Sequence, residues 1–274
     1  MLSNPSQEQK TTYETHIRRK QDTKAERDKD RGNTNNETAI ICFDMQNVIT
    51  LPLANVSTFF YKRKFTVYNL TAHCSVDKAG YCAVWTEAKS GRSANNIASA
   101  LCCILDSIIQ KYPHMKQIIL WSDSCTPQNR NSIMSFAIKT FLSTHPEVHT
   151  IVQKFCEPGH SSIQEVDNIH SQIEKSLRNT DLYSPSGLVR VLDNANRKKP
   201  LQVLMMEDIN FYNYQAARGS VTFSNIPYTK VKSLMYKKNE PFHASYTLHF
   251  LLDLLPKCVS PLINSRGGQH PQSN

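Results

Sequence analysis

Two apolar runs in this chain each close on an aspartate, and nothing else in the sequence restricts the fold as strongly. Ile118–Trp121 leads through Ser122 to Asp123 and then into the polar turn SCTPQNRN; Ile40–Asp44, IICFD, ends the same way. A continuous apolar run of this length, followed by a helical pattern, is what an interior parallel strand looks like. An acid at the carboxyl end of such a strand sits where open α/β sheets bind ligands. For a single strand, capping of the next helix is the commoner role for such an acid. The repeat of the pattern, together with a third acid on a later helix, argues for a site.

The elements around these two strands follow from periodicity. Ala39–Asp44 is the first strand, Phe59–Leu70 the second and Gly80–Ala88 the third. Their aromatic and β-branched content and the intervening turns suit an antiparallel meander. Ile97, Leu101, Ile104, Leu105 and Ile108 then fall on one helix face, with Ser93 placed to cap it and Pro113 to stop it. After the strand that ends at Asp123, Ile133, Phe136, Ala137, Thr140 and Phe141 mark a second helix and Val148–Phe155 a fifth strand. Gly159-His160-Ser161 turns the chain into a third helix, Ser162–Arg178. The order β-β-β-α-β-α-β-α predicts an α/β domain over residues 37–180, with a mixed five-stranded sheet and helices on its faces.

The flanks differ in composition. Residues 1–36 are polar, and Thr15–Arg31 is expected to form a helix whose charges, Arg18, Arg19 and Lys20 among them, are mainly solvated. The abrupt start suggests the remnant of a longer protein. Residues 181–263 read as a basic α+β extension: a short helix over Leu188–Asn196 and strands at Leu201–Glu207, Thr229–Tyr236 and Ala244–Phe250. Residues 185–274 hold eleven Lys and Arg against five Asp and Glu, most of the chain's net charge of +9. Residues 264–274 are expected to be a disordered tail. A basic excess of this kind suits a polyanionic partner, nucleic acid being the commonest. No segment has the length and apolarity of a membrane span, and no secretory leader is evident. The eight cysteines form no C-x-x-C pair. They suit buried, reduced thiols and a nuclear or cytoplasmic location rather than secretion.

On the third helix Asp167, His170 and Glu174 lie at the edge of the apolar face made by Ile163, Val166, Ile169, Ile173 and Leu177. Asp44, Asp123 and Asp167 would therefore converge near one end of the sheet. Three converging carboxylates repel one another unless cations neutralise them. Mg²⁺ or Mn²⁺ prefer oxygen ligands, and a two-ion site can activate a nucleophile and stabilise the leaving oxygen at a phosphodiester. A thiol nucleophile, Cys125 with His160 or His170, is the weaker alternative.

At these residues the sequence resembles the ribonuclease H-like fold of nucleases, integrases and DDE transposases. It is similar, more closely, to an uncharacterised animal domain family found in transposon-derived proteins. The similar segments are FDMQ (43–46), LP (51–52), FYKRKFTVYNL (60–70), WTE (85–87), SDSCTPQNRN (122–131), GHS (159–161) and DNIHSQIE (167–174). The resemblance spans roughly residues 15–250. It implies Asp44, Asp123 and Asp167 as catalytic, metal-binding acids. Gln128, Asn129 and Asn131 would be polar supports, with His170 and Glu174 as further supporting candidates. Two positions depart from the family pattern: Pro127 where a glycine precedes the Gln-Asn pair, and Asn96 where a glutamate often opens the first helix.

The function implied is metal-dependent cleavage or strand transfer on nucleic acid, DNA being the expected form, as an ancestral or residual transposase-like activity. The alternative is a catalytically inactive nucleic-acid-binding or scaffold protein on the same fold.

Overall fold

A computed structural model describes residues 6–33, 35–54, 63–158, 164–178, 180–219, 221–223, 225–240, 244–250, 257–259 and 262–263. The chain opens with α1 (Gln7–Gly32), followed by β1 (Thr38–Met45), the short β2 (Ile49–Leu51), β3 (Phe65–Cys74) and β4 (Gly80–Thr86). The alternating part is α2 (Ala94–Lys111), β5 (Gln117–Ser122), α3 (Ser132–Thr144), β6 (Thr150–Phe155) and α4 (Gln164–Arg178). This is the expected α/β order. The turn expected at 159–161 and the tail expected from 264 lie outside the described residues.

The central sheet runs β4-β3-β1-β5-β6. β3 is antiparallel to both its neighbours, while β1, β5 and β6 are mutually parallel. The sheet does not stop at five strands. The chain continues through α5 (Pro185–Asn194), β7 (Gln202–Met205), α6 (Tyr214–Ala217), β8 (Val221–Thr222), β9 (Ser233–Lys237), β10 (Ala244–Thr247), β11 (Lys257–Val259) and β12 (Leu262–Ile263). Of these, β7 adds in parallel to β4, while β9 adds antiparallel to β6 and is followed outward by β10 and β11. With β2 paired to β3, the described residues form one ten-stranded mixed sheet. The strands of the basic extension thus lengthen the central sheet at both ends.

Residue parity assigns the faces, because successive strand side chains alternate. Ala39, Ile41 and Phe43 of β1, with Ile118 and Leu120 of β5, meet α2 and α3 in the largest apolar cluster. Ile40, Cys42, Ile119 and Trp121 point to the opposite face, where Cys156 and Val166 of α4 join them. Further along that face, Val67, Cys82 and Val84 pack under Ile169 and Ile173 of α4 and Leu188 and Leu192 of α5. Gly80 makes that approach possible. A Cβ there would lie 2.6 Å from Leu201 Cδ2 and 2.9 Å from Ile169 Cδ1.

The first helix departs from expectation. It is longer than predicted, starts at a Ser6–Gln9 capping box, and is not simply solvated, since Thr23, Arg27 and Asp30 are buried. The reason is an ion network that apolar periodicity cannot reveal. Lys154 of β6, 8% exposed, donates to Asp30 Oδ1 and Oδ2 at 2.8 and 2.9 Å and to Glu26 Oε1 at 2.6 Å. Asp30 also accepts from the indole N–H of Trp121 at 2.8 Å. Arg27 and Arg31 both bond Glu165 at the start of α4. A charged helix therefore closes the sheet face above β5 and β6 through paired charges in place of apolar side chains.

Removing one member of a buried ion pair strands its partner, which costs several kcal/mol, whereas exposed pairs contribute little. Lys154→Met is expected to lower stability by about 3–5 kcal/mol in urea denaturation. Lys116→Met, which breaks the half-exposed pair with Glu37, is expected to cost under about 1 kcal/mol.

Candidate functional site

Register brings the two strand-end acids together. β1 and β5 pair in parallel with Ile40 opposite Ile119 and Cys42 opposite Trp121. Two residues further along each chain stand Asp44 and Asp123, of the same parity and on the side covered by α1 and α4. Adjacent strands are about 4.8 Å apart, so the carboxylates are close neighbours. Asp44 responds accordingly. Burial first, and then the charge of Asp123, push its carboxyl up to about 7; the Met45 N–H, donating at 2.8 Å, pulls the other way, and Asp167 adds a smaller like-charge push. Arg92, in the loop before α2, is the basic group that eases Asp44 down.

Asp123 is held by its own turn. Its Oδ1 accepts from the Asn129 side-chain amide and from the Cys125 N–H at 3.2 Å. Among the described residues no donor meets Oδ2. The helix-capping explanation for Asp123 does not apply. Asn131 is the N-cap of α3, accepting from Met134 N–H at 3.0 Å, and its amide braces the carbonyls of Thr126 and Gln128. Of the three polar supports named from sequence, Asn129 touches an acid, Asn131 shapes the turn, and Gln128 contributes its carbonyl to that bracing. Asn129 is 1% exposed, and Gln153 donates to its carbonyl at 2.8 Å.

The residues of α4 divide. Asp167 is a surface residue in the first turn, within electrostatic reach of Asp44. Among the described residues, no three His, Cys, Asp or Glu side chains stand close enough to hold one metal ion. The structure thus pairs Asp44 with Asp123 and leaves Asp167 further out. The pKa of His170 is lowered to about 4 by burial, so the ring is neutral at physiological pH, and among the described residues its buried Nε2 meets no hydrogen-bond partner. Glu174 is exposed two turns further along α4, beside a shallow depression lined by Leu53, Leu177 and Asp181, away from the acid pair.

Other expectations have clear outcomes. Asn96, the position where the family pattern favours an acid, accepts from the Ser93 N–H at 2.9 Å and hydroxyl at 2.6 Å, so it is used in the cap of α2. Cys125 is raised by burial and by Asp123, which opposes a reactive thiolate; His160 lies outside the described residues. Cys42, Cys74, Cys82, Cys102, Cys103, Cys125 and Cys156 are free thiols. Among the described residues no helix is long and apolar enough to cross a membrane. Sequence reading missed Arg92 and Glu165. Glu165 gives a faint signal in retrospect, being an acid in a first helical turn with two arginines spaced i, i+4 elsewhere to receive it.

Comparison with family models, curated proteins and solved structures found no match to this chain.

The acid pair makes a pH-dependent prediction. The folded state keeps the Asp44 proton to about pH 7, whereas the unfolded chain releases it near the ordinary value of 3.8. Folding stability from this group is therefore lost as pH rises between those values and stays lost above. In chelator at pH 8, Asp44→Asn is expected to raise the melting temperature by about 2–4 °C; below pH 4 it should give no gain. Thermal melts across that range check it.

Proposed function

We propose that this chain has a ribonuclease H-like core of transposase descent, and that its strand-end acids serve metal-dependent phosphodiester cleavage or strand transfer on nucleic acid, DNA being the expected form. The observation that carries the proposal is the pairing of Asp44 with Asp123 at the carboxyl ends of adjacent parallel strands, with a second strand antiparallel to both its neighbours. The strand order third-second-first-fourth-fifth, read from β4-β3-β1-β5-β6, is in keeping with that fold.

The donors fit Mg²⁺ or Mn²⁺. Two carboxylates with one unengaged oxygen on Asp123 supply hard oxygen ligands, and a cation would relieve the repulsion that raises Asp44. Asp44 and Asp123 would hold the metal, and Asp167, on the helix above, is the residue proposed to complete the set. When bound, such ions supply an activated water or hydroxyl and charge stabilisation for the leaving oxygen. Asn129 fixes the Asp123 carboxylate through Oδ1, leaving the other oxygen free to face the ligand. Arg92, within electrostatic reach of Asp44, offers a positive group suited to a substrate phosphate.

The alternative, a non-catalytic nucleic-acid-binding or scaffold protein, draws on two observations. The described acids do not close into a set of three, and Asn96 is spent on a helix cap. Calorimetric titration with Mn²⁺ or Mg²⁺, with and without a DNA oligonucleotide, separates the two. Wild type is expected to bind the ion, Asp123→Asn to lose binding, and Asn129→Ala to weaken it by about 10–100-fold. Cleavage of the oligonucleotide should follow the same order. A wild-type protein that binds no divalent ion under either condition would sink the catalytic reading.

A further inference from the structure

A second feature lies beside the acid pair. One face of α1 presents Lys20, Lys24, Arg27 and Arg31, spaced i, i+4, i+7 and i+11, and these four side chains line a cavity of about 290 Å³. Its opposite wall is Cys156 and Glu157, the residues that follow β6. That wall is joined to the acid turn: the Cys156 N–H donates to Ser122 O at 3.0 Å, and the Ser124 hydroxyl donates to Cys156 O. The cavity and the Asp123 turn are thus two sides of the same short piece of backbone.

The charges around the cavity do not cancel. Glu157 is taken by Lys232 and has His16 Nδ1 at 3.6 Å, and Glu165 is taken by Arg27 and Arg31. Asp28 is satisfied by Arg31 at 3.4 Å. The acids of α1 that face the sheet, Glu26 and Asp30, belong to Lys154. Lys20 and Lys24 remain, both exposed and without a carboxylate partner among the described residues. Arg27 and Arg31 are engaged by Glu165, so the open cations are Lys20 and Lys24, about one turn and 6 Å apart along the helix. Two cations in line at that spacing suit an anion that repeats, as a nucleic-acid strand does.

We infer that this face of α1 is a backbone-binding track, on which Lys20 and Lys24 hold successive phosphates of a nucleic-acid strand while the adjoining stretch passes the Asp44–Asp123 pair. The inference rests on the nucleic-acid reading of the site, and it gives α1 a role beyond closing the sheet. The contacts are to phosphate, so they set position and affinity without reading sequence.

The test is fluorescence anisotropy of labelled single-stranded and duplex DNA oligonucleotides across a salt series, in chelator so that metal plays no part. Lys20→Gln/Lys24→Gln is compared with Lys116→Gln/Lys237→Gln, which removes the same charge at the opposite end of the sheet. Circular dichroism confirms that each variant keeps its fold. The first variant is expected to bind about tenfold more weakly and to lower the slope of log affinity against log salt by roughly 1.5–2; the second should stay near wild type. If wild type binds and the two variants weaken equally or not at all, the track is refuted while the nucleic-acid reading stands. If wild type binds no oligonucleotide at low salt, both fail together.

Discussion

Everything described at the site depends on the register between β1 and β5. Parallel strands of matched parity place residue pairs in layers, and here the layers run Ile40 with Ile119, then Cys42 with Trp121. A slip of one residue in either strand would turn one aspartate to the α2–α3 face and dissolve the pair. The register is secured from both sides. Apolar side chains of alternate residues fill the large cluster beneath, and Trp121 is locked above by its bond to Asp30. The acid pair is thus a by-product of packing that would be needed in any case. Asp44, the penultimate residue of β1, and Asp123, the residue after β5, each close an apolar run.

The covering of the opposite face is less usual. Sheet faces are ordinarily closed with an apolar stripe, but α1 has none and closes β5 and β6 with carboxylates around a lysine. Such an arrangement contributes little net stability when compared with apolar packing, yet it fixes geometry strictly, because each charge must meet its partner. The same helix holds α4 by Arg27 and Arg31 on Glu165, two residues before Asp167. The position of the third acid is therefore coupled to the seating of the first helix.

How far the sequence foretells this structure depends on the kind of force involved. The central strands and α2, α3 and α4 are legible because apolar burial writes a period into the chain. The pairing of Asp44 with Asp123 is legible because both close such a period. The helix α1 is legible but its seating on the sheet is not: its partners, Lys154 and Glu165, lie more than a hundred residues away, and ionic complementarity leaves no periodic trace. β2, β8, β11 and β12 are two or three residues long, too short for alternation to be read securely. Asn96 shows a third limit. Its type was noted, but only its hydrogen bonds reveal that it serves the helix cap.

The placement of the later strands carries a consequence for how the molecule can be divided. β7 seals the sheet at β4, and β9 seals it at β6, so both flanks of the central five strands are closed by chain from beyond residue 200. A fragment ending near residue 180 would contain Asp44, Asp123 and Asp167, yet it would present two unpaired strand edges to solvent. Exposed edges of that kind recruit other chains. The portion of the sequence that looks most like an appendage is what pairs both edges of the central five strands.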